Sequence, residues 1–383
     1  MRRAECLLCG KKRTAPVPGW NTSRGITSEG KPWPTAGALT FCSACGLTQK
    51  NTGLLWRRQT ARIYKTYAPY YQSGGKEQRV FDTGRGSLTT RSAALLGRLR
   101  RHLPGSAAAE ALDIGCGNGS LLRNLRRSFP SWNLYGADRT RRYDRELRTR
   151  WGVRRVYHGE AANINRTFDA VFMLHVLEHA RRPVAFLNSV KKLIKPGGML
   201  FIQIPDLTAN PVDLVIFDHC THWTRSHITA LLAQSGWHIR VITNRWVPRE
   251  ISIIAAPAPT SQARGRVPGA ARHSKRLHQQ IAWLGRLKAQ AQALCGKGPL
   301  GIFGTSNAGT WLATEIGRGV EFFVDEDADR IGKRHLRKLI VGPHDLKRGQ
   351  NVLMALPPPL ASRIARRLKA SGVKARLIQP PPV

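Results

Sequence analysis

The stretch LDIGCGNGSLL, residues 112–122, limits what this chain can fold into more than any other. An apolar run ends on Asp113, glycines follow at Gly115, Gly117 and Gly119, and a helical pattern opens near Ser120. A strand that passes into a helix through so tight a loop belongs to a parallel α/β sheet, with the loop at the strand's carboxyl end. Glycines there let the backbone come close to a ligand. A dinucleotide loop spaces its glycines G-x-G-x-x-G. Here the third glycine comes one residue sooner, and an acid precedes the first.

The flanking chain keeps the same alternation. EALDIG, NLYGAD, RVYHG, FDAVFML and GGMLFIQIP read as strands, with GSLLRNLRRSF, DRELRTRW, PVAFLNSVKKLI and SHITALLAQSG as helices. That order predicts a parallel sheet with helices on both faces. HIRVITNRW and EISIIAAP have no helix between them and predict an antiparallel hairpin at one edge. APAPTSQARGRVPGA, residues 256–270, reads as a linker. After it come a long helical pattern and GPLGIFGTSNAGTWLATEI, a strand, glycine loop and helix. Its Gly301, Gly304 and Gly309 do not have the dinucleotide spacing.

The front of the chain carries CLLC at 6–9 and CSAC at 42–45, four of its seven cysteines. Cys6, Cys9, Cys42 and Cys45 at this spacing suit a closed, structural Zn2+ site. A redox pair would need only one CxxC. A segment this short and poor in apolar residues needs such a staple.

Charge narrows the partners. Lys and Arg number 62 against 23 Asp and Glu, a net +39. That favours nucleic acid, anionic membrane surfaces or phosphorylated small molecules. The arginines are scattered through every segment, and the densest patch, RTRRYDRELRTR at 139–150, reads as one helix face. Nucleic acid is therefore not the favoured partner. No run nears the ~18 apolar residues of a membrane span, and the start lacks the apolar stretch of a signal peptide. The expectation is a cytoplasmic monomer or homodimer.

VIFDHCTHWTRSHI, residues 215–228, concentrates groups that bind metals or move protons. His219 and His222 would need a third ligand that this spacing does not supply, so a metal is set aside here. Thr224 reads as the cap of the next helix, with Trp223 packed beneath it and His227 in the first turn. Asp218 and His219 are left as an acid beside a base.

The acid before G-x-G-x-G, Asp138 at the end of the next strand, FDAVFMLHVLEH (168–179) and LIKPGGMLFIQIP together resemble the class I S-adenosylmethionine-dependent methyltransferases. The resemblance covers roughly residues 90–257 and implies a Rossmann-like α/β core with a seven-stranded sheet. It implies Asp113 and Gly115 beside the cofactor's methionine part, with Cys116, Gly117 and Gly119 along it. Asp138 would take the ribose hydroxyls, Glu160 the adenine, and His175 would face the methionine side.

With a zinc-binding front and a second Rossmann-like tail, the chain looks like the sugar C-methyltransferases, which act on nucleotide-linked keto-deoxysugars. The resemblance implies a zinc-ribbon-like domain at 1–60 and a methyltransferase domain at 61–257, whose 61–90 segment covers the substrate. A linker at 258–273 and a small α/β domain at 274–383, which helps hold the nucleotide sugar, would follow. Asp218 and His219 match the family's acid and base, His179 another active-site His, and Tyr71 (or Tyr70) its tyrosine-rich cover. His219 would be the base, oriented by Asp218, with His179 or a Tyr at the enolate oxygen. Ile216 and Phe217 depart from the family's Tyr and His. That leaves O- or N-methyl transfer to a sugar or natural product open beside C-methylation. RNA or another macromolecule is the further alternative as acceptor.

Overall fold

A computed structural model describes residues 5–20, 23–77, 79–82, 87–105, 108–259 and 267–382. The centre is a seven-stranded sheet: β1 Glu110–Ile114, β2 Asn133–Ala137, β3 Arg155–Tyr157, β4 Phe168–Leu174, β5 Ile194–Pro205, β6 Trp237–Thr243 and β7 Glu250–Pro257. The order across it is β3-β2-β1-β4-β5-β7-β6. Pairings are parallel from β3 to β5, while β7 runs antiparallel to both β5 and β6. The expected edge hairpin is therefore present. The order reverses at β1, where the first crossover leaves one way and β4 returns on the other side. Ligands of open α/β sheets bind in the crevice at such a switch point.

Alternate side chains of the central strands go to opposite faces, as strand geometry requires. Leu112, Val171, Met173, Ile202 and Ile253 join one buried cluster with α5 (Pro183–Lys191) and α6 (Arg225–Gln234). Ala111, Ala170, Phe172, Phe201 and Ile254 join the other, against α2 (Arg91–Leu99), α3 (Ser120–Ser128) and α4 (Asp144–Trp151). Helix α3 fits because Leu121, Leu122 and Leu125 share one face while its arginines stay outside.

The front adds a second sheet in the order Thr14–Pro16, Leu39–Cys42, Thr48–Lys50, Thr221–His222. Its last strand comes from the 215–228 stretch of the core, with Thr221 opposite Gln49 and His222 opposite Thr48. Helix α1 (Leu54–Lys65) follows and spans the expected boundary at 60. The expected linker overlaps α7, which already begins at Ala270 and runs to Leu294; residues 260–266 lie outside the described part.

The tail forms a six-stranded sheet from β8 Leu300–Phe303, β9 Phe322–Val324, β10 Arg334–His335, β11 Lys338–Val341, β12 Asn351–Met354 and β13 Arg376–Ile378. Its order is β10-β11-β9-β8-β12-β13, with α8 (Asn307–Ile316) and α9 (Pro358–Ala370) packed on it. One buried cluster joins Trp20, Ile26 and Leu39 of the front, Leu214 and Ile216 of the core, and Trp283, Trp311 and Leu353 of the tail. No described helix is long and apolar enough to cross a membrane.

Candidate active site

The carboxyl ends of β1 and β4 open into a cavity lined by all three parts of the chain. At one end lies the glycine loop. Gly117 sits at φ +49 and Gly119 at φ +76, conformations that favour glycine. A Cβ at Gly117 would meet Pro69 Cγ at 2.8 Å, and one at Gly119 would meet Leu147 Cδ2 at 2.1 Å. Gly115, Cys116 and Gly117 line the cavity; Gly119 does not, and serves instead as the N-cap of α3. Asp138 Oδ2 accepts from Gly117 N at 2.8 Å, so this acid braces the loop as well as facing the cavity.

Asp113 is buried at the same end. Burial, with the Asp138 and Glu77 carboxylates nearby, pushes its pKa well above the carboxylate range. A cationic ligand would relieve that. An amino group and a sulfonium beside Asp113, Asp138 and Glu77 match the charge of this end, so the residues fit S-adenosylmethionine. Glu160 is exposed and outside the cavity lining, contrary to its expected place at the adenine. It follows the turn after β3, which carries it to the surface.

The segment 67–77 covers the opening. Here Tyr70, at φ +57, lines the cavity, whereas Tyr71 is 53% exposed with Lys31 Nζ 4.6 Å from its ring centre. The Tyr71 expectation is thus corrected to its neighbour, because the left-handed turn at Tyr70 sends consecutive side chains apart. Asn118 of the glycine loop donates to Gly75 O at 2.6 Å and holds the cover down.

At the other end stand His175, His179 and His219. The loop after β4 carries the first two. His175 has φ +56, a strained backbone for a non-glycine. Arg91 donates to its Nε2 at 2.8 Å. Burial depresses its pKa to about 4 against the pull of Glu250. His179 donates Nδ1–H to Asp218 O at 3.0 Å, and Tyr64 Oη lies 3.0 Å from the same nitrogen. Cys220 N–H donates to Glu178 O at 2.8 Å and ties this loop to the 215–222 stretch.

The acid at His219 is not Asp218. Asp213, in a short 3-10 turn at Pro211–Val215, takes His219 Nδ1–H on Oδ1 and His222 Nδ1–H on Oδ2, each at 2.6 Å. Burial opposes charge on His219, but the Asp213 carboxylate outweighs it and lifts the imidazole to about 9. Burial instead takes His222 down to about 4. Burial also works against ionising Asp213, yet His222 and His219 hold its carboxyl well below the usual range. Asp218 is fully buried and accepts from Ser28 N at 2.8 Å and Ser28 Oγ at 2.6 Å, which stitches the front to the core. Thr224 caps α6, Trp223 is buried, and His227 lies in the first turn, as the motif predicts.

Cys6 Sγ lies 3.5 Å from Cys45 Sγ, and Cys9 Sγ 3.7 Å from Cys42 Sγ; all four sulfurs fall within 4.8 Å of one another. Thiolates about 2.3 Å from a tetrahedral Zn2+ stand about 3.8 Å apart, so this set fits the ion closely.

Sheet order, the glycine loop at the switch point and an acid at the end of β2 define an α/β methyltransferase-like core. Residues 88–241 match the family described as "Methyltransferase domain". The ubiquinone biosynthesis O-methyltransferase of Rhizobium etli is 30% identical over 113 residues, which is 28% of this chain and 45% of that protein. The tRNA U34 carboxymethyltransferase of Idiomarina loihiensis is 30% identical over 116 residues, 28% of this chain and 36% of that protein. The chain thus spans less than half the length of these curated relatives. The solved mitomycin 7-O-methyltransferase MmcR is 21% identical, with 53% of this chain and 67% of that one covered at a TM-score of 0.38.

Proposed function

We propose that this chain is an S-adenosylmethionine-dependent methyltransferase acting on a small anionic acceptor, with a nucleotide-linked keto-sugar the best fit. The observation that carries the reading is one continuous cavity. It runs from Asp113 and Gly117 to His179 and His219, and also reaches Ser306, Asn307 and Arg330 of the tail. The cofactor, when bound, supplies an electrophilic methyl. Asp113, Gly115, Gly117 and Asp138 would hold it, with Tyr70 as part of the cover. His219 is the group we assign to activating the acceptor. Its Nδ1–H is fixed on Asp213, so the ring presents Nε2. With the ring lifted to about 9, its neutral form is the base, which suits deprotonation of a hydroxyl or of a carbon beside a ketone and should make turnover rise with pH toward that value. Asp218 then acts through the backbone, by holding the 215–222 segment on Ser28. In the same reading the four cysteines hold a structural Zn2+. Ser306–Ala308, at the amino end of α8, and the cationic Arg330 suit the anionic part of the acceptor.

The high positive charge also favours a polyanionic acceptor such as RNA, as the second reading. Calorimetry separates them. Zinc-loaded protein is titrated with S-adenosylmethionine alone, then with nucleotide sugars or short RNA present. Cofactor binding strengthened by a nucleotide sugar supports the first reading. Coupling to RNA alone, falling steeply with salt, supports the second. No cofactor binding rejects both.

A further inference from the structure

We propose that Glu178, His179 and His219 form a site for a first-row divalent cation such as Mn2+, Fe2+ or Zn2+, set in the wall of the acceptor pocket. Each residue offers a donor atom within 4.8 Å of the other two. Glu178 is 1% exposed, and neither carboxylate oxygen has a hydrogen-bond partner among the described residues; His175 Nδ1 lies 3.3 Å from one of them without bonding it. A buried carboxylate left this way is costly unless something cationic compensates it. The imidazoles face each other edge to face with centroids 4.8 Å apart.

The hydrogen bonds around the rings point the same way. A backbone carbonyl can only accept, so His179 carries its proton on Nδ1, toward Asp218 O. His219 spends Nδ1 on Asp213. In each ring Nε2 is the nitrogen left for a ligand. A ring N–H held by a carboxylate or a backbone carbonyl is the usual support for a metal-bound His. Two His and one carboxylate is a ligand set for a first-row divalent ion that keeps open positions.

The 215–228 stretch thus supplies only His219, and the loop after β4 supplies the other two ligands, Glu178 and His179. The backbone clasp from Cys220 to Glu178 brings the two together. An ion here would leave its open positions toward the cavity that His179 and His219 line, within reach of an acceptor oxygen. The proposal deepens the methyltransferase reading and rests on it only for what binds opposite the ion. With the ion in place, His219 acts on the acceptor through the metal rather than by taking its proton directly.

The test is a Mn2+ titration followed by electron paramagnetic resonance, on full-length protein with its zinc retained. Mn2+ prefers oxygen and nitrogen donors, so the four cysteines stay silent. One equivalent should bind, be displaced by Zn2+, and weaken at least tenfold in Glu178→Gln. His179→Gln should give the same loss, and circular dichroism checks that each variant is folded. Asp213→Asn, which removes support but no ligand, should also weaken it. A wild-type protein that holds no Mn2+, or folded ligand variants that bind as tightly as wild type, overturns the site. S-adenosylmethionine calorimetry on the same samples keeps the two claims apart. Cofactor binding without Mn2+ binding removes the cation site alone; Mn2+ binding at these residues without cofactor binding removes the methyltransferase reading alone.

Discussion

At the scale of single residues, the site turns on Asp213. One carboxylate serves two imidazoles, so Asn at that position cannot replace it. An amide has one accepting oxygen; its NH2 would face the other Nδ1–H and force that ring to its second tautomer. Asp213→Asn should lower turnover about 100-fold or more. S-adenosylmethionine affinity by calorimetry should stay within about threefold, because Asp213 does not line the cofactor end. The sequence made His219 and His179 legible, since they sit in a motif. Asp213 was hidden because it lies six residues before His219 in a 3-10 turn, where no periodicity ties one side chain to the other. Asp218, the adjacent acid, was the natural but wrong partner: its carboxylate is taken by Ser28 of the front, a contact across 190 positions. Away from the site, His335 gives a pH dependence. Burial, with Arg330 close by, holds it near pKa 4 while its Nε2 pairs with Thr310 Oγ1 at 2.8 Å. The unfolded ring titrates near 6.5. Between these values the unfolded chain binds the proton and the folded chain does not, so stability rises with pH. His335 should therefore contribute fully above about pH 6.5 and lose up to about 3 kcal/mol as pH falls toward 4. Thermal melts across that window should slope less in His335→Gln.

At the scale of elements, the alternation of strands and helices predicted the central sheet well, including the edge hairpin. Long apolar runs set by burial on both faces leave little choice of structure. The two-residue strand Thr221–His222 is different. It has no pattern of its own and exists because Thr48–Lys50 offers an edge to pair with. Lys50 N–H also donates to Cys220 O at 2.9 Å, and Trp56 Nε1–H to Phe217 O at 2.9 Å. The front therefore shapes the backbone on which His219 stands. Its sheet carries Cys42 at the end of one strand, so removing a bound Zn2+ should loosen more than the front. Chelation is expected to lower the thermal transition and to speed amide exchange at residues 217–222 by at least tenfold. Exchange in β1 and β4 should change much less. Equal exchange with and without chelator would show that the front holds the segment without metal.

At the scale of the whole molecule, the three parts meet over one cavity, and the cover segment is where they lock. Arg330 of the tail donates from Nε and Nη2 to Ser73 Oγ at 3.1 and 2.7 Å. It is itself held by Asp325 at 3.1 Å, which also takes Thr305 Oγ1–H at 2.8 Å just before α8. Lys76 of the cover reaches Asp329 of the tail at 2.5 Å. No sequence pattern could show that Arg330 and Asp329 meet Ser73 and Lys76, because those contacts span more than 240 positions and depend on how the parts dock. The exposed Lys76–Asp329 pair should matter little by itself. Arg330 is 7% exposed, so its loss would strand two acids and free Ser73 together. Arg330→Met should thus raise the Michaelis constant for the anionic acceptor about tenfold or more and speed amide exchange across residues 70–77. S-adenosylmethionine should still bind through the glycine loop, weakened by a smaller factor because Asn118 continues to hold Gly75. If acceptor and cofactor binding fell equally, the tail would be a general brace for the fold, and its contact with the cavity would carry no selectivity for the acceptor.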